Sequence, residues 1–214
     1  MNQSADTYLP PSPDATGDKT LAWYLLRASY GTERKAKEAL DEKHFETFLP
    51  TEMVKTEKDG KVTWRERSLI PNLLFVRTTE DCLRKAIDDC GLAHLHFYLT
   101  RQKQTLGDQR VVARYVPLVI PDRQMEEFRR WNGVDDEHKL FVPEAEMTLK
   151  LGALVRVTNG KFAGMQGRVC RLQGQTRVGI GIDGLGTLFT AYIPKAFLEY
   201  ADPTTEPGRT VSSG

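Results

Sequence analysis

The sequence predicts two folded modules: an α+β domain with an antiparallel sheet and helices, then a small all-β barrel. Three observations carry this. Residues 21–131 alternate apolar runs of strand period with runs of helix period. Residues 150–200 hold nine of the seventeen glycines, among β-branched and aromatic residues in short runs. Residues 132–149 carry five acids against one lysine, a net charge of −4, and read as a linker.

The elements follow in order. Residues 1–20 are rich in Pro, Ser, Thr and Asp and read as a disordered tail, as do residues 201–214. Ala22-Trp23-Tyr24-Leu25-Leu26-Arg27-Ala28 is an opening strand, and Tyr30-Gly31 turns the chain. Thr32 is placed to cap a first helix that carries Glu33 in its first turn and runs to about Lys43, with Ala36, Ala39 and Leu40 as its apolar stripe. Phe45 to Met53 is strand-like but interrupted by Pro50. Val54 to Arg67 reads as a hairpin turned by Asp59-Gly60, among the strongest short-range hairpin signals. Leu69 to Val76 is an apolar run expected to be a buried central strand. Thr79 starts a second helix whose apolar face is Cys82, Leu83, Ala86, Ile87 and Cys90, and Gly91 ends it. His94 to Leu99 is a further strand, and residues 101–115 read as a loop or ragged strand. Asp122 is expected to cap a third helix anchored by Met125, Phe128 and Trp131. Five strands then fit a barrel: Leu154–Thr158, Gly167–Leu172, Arg177–Ile182, Thr187–Ile193 and Phe197–Tyr200.

Bulk properties narrow the function. In 214 residues no run approaches the ~18 apolar residues of a membrane span. The N-terminus lacks a basic segment followed by an apolar core, so no secretory signal is expected. Three irregularly spaced cysteines make no disulfide framework, and a reducing cytoplasm is the expectation. Residues 150–200 carry seven Lys/Arg against two acids, a net of +5. Residues 21–131 carry twenty against seventeen, a net of +3. Two mildly basic modules suit nucleic-acid contact assisted by a protein partner, and equally a solvated surface.

Within the second module, Val155 to Val169 is a short alternating strand, a turn punctuated by Gly160 and Gly164, and a second strand opened by Gly167. This segment resembles the KOW motif of SH3-like barrels. Trp23-Tyr24, Tyr30-Gly31-Thr32-Glu33, Phe48-Leu49-Pro50 and the hairpin before Pro71 resemble the NGN domain. Together, over residues 22–200, the chain is similar to the NusG family of transcription elongation factors: an NGN domain at 21–131, a linker at 132–149 and a KOW domain at 150–200. Pro71-Asn72-Leu73 is similar to RfaH-like antiterminators, where the housekeeping factor has Pro-Gly-Tyr. Pro71–Val76, Val134–His138 and Thr190–Glu199 resemble the UpxY group of Bacteroides-type bacteria, which regulates capsular polysaccharide operons.

The resemblance implies a role for each surface. The NGN domain would dock on the clamp helices of the largest RNA polymerase subunit through Tyr24, Ile70, Leu73 and Phe75, with Arg27 at the edge. Ordinary sheet core is the competing account of the apolar four. Arg34 and Lys35, beside Ser29 and Tyr30, match where RfaH-like factors read DNA. Hairpin residues Lys55, Lys58, Lys61, Trp64, Arg65 and Arg67 would meet the exposed DNA strand of the transcription bubble or nascent RNA. A solvated hairpin, diluted by Glu57, Asp59 and Glu66, is the alternative there. The family's KOW contact loop commonly reads Phe-Ala-Asp-Phe. Phe162-Ala163-Gly164-Met165 keeps apolar Phe162 and Met165 for a protein partner such as a ribosomal protein, but lacks the acid and second aromatic that would favour Rho. Glycine and β-branched residues disfavour any switch of this module to helices. A monomer without cofactor or membrane contact is the expectation.

No Walker loop, GxSxG or HExxH is present, so no enzyme is read. Cys90, His94 and His96 lack a convincing fourth ligand for structural zinc. A housekeeping NusG-type factor remains an alternative. A KOW RNA-binding or ribosome-associated protein would leave residues 22–131 unexplained.

Overall fold

The computed structural model describes residues 21–105, 111–134, 139–147, 151–172, 174–190 and 192–201. Residues 1–20 and 202–214 of the expected tails, and linker positions 135–138 and 148–149, lie outside the described residues. In chain order the elements are β1 (Ala22–Ala28), α1 (Glu33–Glu42), β2 (Glu46–Phe48), β3 (Thr51–Lys58), β4 (Lys61–Ser68), β5 (Leu73–Thr78), α2 (Glu80–Asp89), β6 (Leu95–Phe97), β7 (Leu99–Thr105), β8 (Val111–Pro117), β9 (Val119–Ile120) and α3 (Asp122–Gly133). Then come β10 (Leu140–Pro143), β11 (Leu154–Val157), β12 (Gln166–Leu172), β13 (Gln175–Ile182), β14 (Gly186–Phe189) and β15 (Leu198–Tyr200). No described helix is long and apolar enough to cross a membrane.

The chain divides into two compact units, one holding Ile70–Ile120 and the residues up to Leu49, the other holding Pro50–Leu69 and the residues from Pro121. The first unit is built on an antiparallel sheet ordered β2-β5-β1-β6, with β9 also pairing β1. β5 is central, as its apolar run predicts, but it starts only at Leu73. Pro71 has no N–H to give a ladder, and Asn72 turns the chain at φ 64°. Tyr24, Leu26, Ala28, Leu74 and Val76 point to one side and pack with Ala36 and Leu40 of α1 and Leu83 and Ala86 of α2. That is the unit's helix-facing core.

Helix ends depart from expectation in two places. Thr79 caps α2 as read, its hydroxyl accepting from the Cys82 N–H at 3.4 Å, and Gly91 follows the helix at φ 63°. Thr32 makes no such cap. Its hydroxyl donates instead to the Ser29 carbonyl at 2.7 Å. Asp122 is the first residue of α3, preceded by Pro121, and supplies no side-chain cap. Its carboxylate still lies at the positive end of the helix dipole.

In the stretch read as a loop or ragged strand, the described residues 101–105 and 111–115 are strand, most of a second hairpin in which β7 pairs with β8 in the register Arg101↔Tyr115. Their polar alternation gave little hydrophobic signal, and a two-stranded ribbon needs little burial to pair its backbone groups.

In the second unit six strands pair antiparallel in the order β10-β14-β13-β12-β11-β15. Five were expected. The sixth, β10, comes from the acidic segment read as linker, pairing Phe141↔Leu188. The expected strand Thr187–Ile193 ends at Phe189, and Lys195–Phe197 is a 3-10 turn before β15. α3, expected in the first module, packs on β13 and β14. Its Gln124 amide donates to the Gly181 carbonyl at 3.1 Å. Glycine is required at Gly179, where a Cβ would lie 2.5 Å from the Phe189 ring. Gly179→Ala is expected to destabilise this sheet by about 1–3 kcal/mol through overpacking, read as a lower urea midpoint.

Candidate functional surfaces

The five residues expected to form one docking patch do not share a face. In β1–β5 pairing Tyr24 lies opposite Val76, whereas Leu25 lies opposite Phe75 and Arg27 opposite Leu73. Strand side chains alternate, so Tyr24 belongs to the helix-facing core and Arg27, Leu73 and Phe75 to the other side. Tyr24 is buried there, edge-on to Phe97 with ring centroids 5.8 Å apart. Burial pushes its phenol pKa up, with the Glu80 charge adding to the effect. On the other side, Phe48, Phe75 and Leu25 make one cross-strand row, and the Phe48 and Phe75 rings are 6.0 Å apart. Ile70, Leu73 and Phe75 are all buried. Arg27 alone among the five is exposed, its guanidinium 5.9 Å from the centre of the Tyr98 ring.

The β1–α1 turn is built to display. Tyr30 is 99% exposed and sits at φ 57°, and Gly31 follows at φ 69°. A left-handed tyrosine is uncommon and needs support from its surroundings. Asn72 provides it. The Gly31 N–H donates to Asn72 Oδ1 at 2.9 Å, and the Ala28 N–H donates to the Asn72 carbonyl at 2.8 Å. Arg34 and Lys35 are exposed one turn into α1. Sequence reasoning passed over Asn72 as a positioning residue. The signal was its place after Pro71, since Asn tolerates the left-handed region better than most residues.

The β3–β4 hairpin has the expected turn, with Asp59 and Gly60 both at positive φ. Its two faces differ. Lys55 pairs with Trp64, Met53 with Glu66 and Glu57 with Val62, so Met53, Val62 and Trp64 share one face with Lys55. All three apolar residues are exposed. Lys58, Lys61, Arg65 and Arg67 alternate onto the opposite face. The expected cluster of cations around Trp64 is thus divided, and only Lys55 stands beside the indole. Arg67 is also committed to Glu52, with Nη2 to Oε1 at 2.6 Å.

Phe162 and Met165, expected to meet a partner, are buried at 4% and 5% exposure. The turn folds them inward: the Gly164 N–H donates to the Val157 carbonyl at 2.6 Å and the Met165 N–H to the Phe162 carbonyl at 3.1 Å. The Phe162 ring lies against Trp131 of α3, centroids 5.4 Å apart. Lys161, Ala163 and Gly164 are the exposed part of the loop.

Comparison with known families decides the class. The family model for "Transcription termination factor nusG" matches residues 21–129, just over half of the chain. The chain belongs to the NusG family. No curated protein matches it. NusG factors act in transcription elongation and antitermination and bind RNA polymerase. The NusG match ends inside α3, so it contains β1, β5, the Asn72-held turn and both hairpins.

Proposed function

We infer that this NusG factor is a specialised antiterminator. It rides on RNA polymerase, keeps the enzyme on its template and promotes readthrough of a limited set of operons, capsular or exopolysaccharide operons being the expected class. The observation that carries this reading is the Tyr30 turn, anchored by Asn72 and flanked by Arg34 and Lys35. A rigidly presented aromatic beside two cations suits a base that has left its duplex, with phosphates on either side.

Docking on the polymerase clamp helices falls to the sheet side carrying Arg27, Leu73 and Phe75, with Ile70 at its margin. Tyr24 acts behind it, by holding the sheet on α1 and α2. The hairpin offers two ways to meet nucleic acid: Trp64 with Lys55 on one face, and Lys58, Lys61 and Arg65 on the other. The C-terminal sheet is read as a KOW barrel, and it recruits a protein partner when Phe162 and Met165 become accessible.

In vitro transcription through an operon leader with the cognate polymerase tests this. The wild-type chain is expected to raise readthrough. Arg27→Glu, an exposed substitution, is expected to remove most of that gain while leaving the thermal midpoint unchanged. Equal readthrough with and without the wild-type protein would defeat the antitermination reading.

A further inference from the structure

We propose that a groove in the C-terminal sheet is a binding site for a single-stranded nucleic acid, with Tyr200 as the stacking platform and Arg171 and Lys195 as phosphate contacts. The groove measures about 630 Å³ and runs across β12, β11 and β15. Its floor is Val155, Val169 and Leu198. The volume falls within the roughly 300–1,000 Å³ of small-ligand sites and suits one or two nucleotides rather than a duplex.

Three features select the ligand class. Among the described residues, the charged side chains lining the groove are Arg171 and Lys195, and no acid lines it. Glu199, the nearest acid in sequence, pairs with Arg156, and strand alternation sends it to the face away from Leu198 and Tyr200. Tyr200 is 88% exposed although Val155, its register partner, is buried. An exposed ring at the rim of a cationic groove with an apolar floor is the combination by which single strands are held without sequence readout. The net charge of +5 over residues 150–200 favours approach of a polyanion.

This site does not depend on polymerase docking, so its failure would leave the antitermination reading standing. The test uses the full chain carrying Lys58→Gln, Lys61→Gln and Arg65→Gln, so that the hairpin does not dominate binding. Fluorescence anisotropy follows labelled oligouridylate and oligothymidylate of about twelve nucleotides, inside the ~4–16 nucleotide range of comparable single-strand sites. Tyr200→Ala is expected to weaken binding about tenfold, the effect of one lost base stack. Arg171→Gln with Lys195→Gln is expected to flatten the slope of log affinity against log salt by about 1.4, as two lost phosphate contacts require. Comparing the two oligonucleotides identifies RNA or DNA as the strand held. Unchanged affinity in Tyr200→Ala, or an unchanged salt slope in the double variant, overturns the proposal. So does displacement by polyglutamate as effective as by unlabelled oligonucleotide, since the groove would then read charge alone. All three side chains are exposed, so circular dichroism should match the parent and loss of fold cannot mimic loss of binding.

Discussion

Trp131→Ala is expected to destabilise the C-terminal unit by about 3–5 kcal/mol, the usual cost of emptying a large aromatic site. Trp131 is fully buried in α3 and packs on Phe162. Urea unfolding followed by circular dichroism reads the stability term. A second readout concerns function. With the indole gone, Phe162 loses its cover, and amide shifts at Phe162–Met165 should move more than those of β14. Trp131 Nε1 is itself buried without a hydrogen-bond partner among the described residues, as are Asn132 Oδ1 and Glu127 Oε2. Unmet buried polar atoms cost roughly 1–3 kcal/mol each. The α3 face therefore surrenders part of what its apolar packing contributes. If Trp131→Ala leaves both stability and the Phe162 loop shifts unchanged, the packing assigned to this contact is wrong.

Asn72 separates two effects in one position. Asn72→Gly keeps the positive φ and removes only the side-chain acceptor for the Gly31 N–H, for an expected loss of about 0.5–1.5 kcal/mol. Asn72→Ala removes the acceptor and adds the left-handed strain of a β-carbon, about 1–2 kcal/mol more. The turn carrying Tyr30 should loosen in both, and backbone relaxation at Tyr30 and Gly31 reports it. Identical thermal midpoints for the two variants would mean that φ at this site is unconstrained.

Much of the chain up to α2 was legible because local chemistry left few choices. Asp59-Gly60 demands a two-residue hairpin turn, and Thr79 with the Leu83–Ala86 spacing demands a capped helix. The side on which Tyr24 falls was not legible. Trp23-Tyr24-Leu25-Leu26 is apolar throughout and buried on both faces, so alternation carries no contrast in hydrophobicity. Only the register Leu25↔Phe75 separates Tyr24 from the Arg27 side. β10 was hidden by the acids around it and by its own Pro143. Its pairing with β14 is a long-range choice that local propensity does not record. Phe162 and Met165 misled for the same reason: a glycine turn suggests exposure, and the surface covering it arrives from α3, some thirty residues earlier.

The hairpin's exposed indole has an optical consequence. The chain has three tryptophans. Trp23 and Trp131 are sealed at 2% and 1% exposure, while Trp64 stands at 52%. A water-borne quencher such as iodide therefore reaches one emitter of the three, and the hairpin comes already labelled. Protection of that red-edge emission during assembly reports occupancy of the Trp64 face alone, whereas ligands on the Lys58–Arg65 face or in the Tyr200 groove leave it lit.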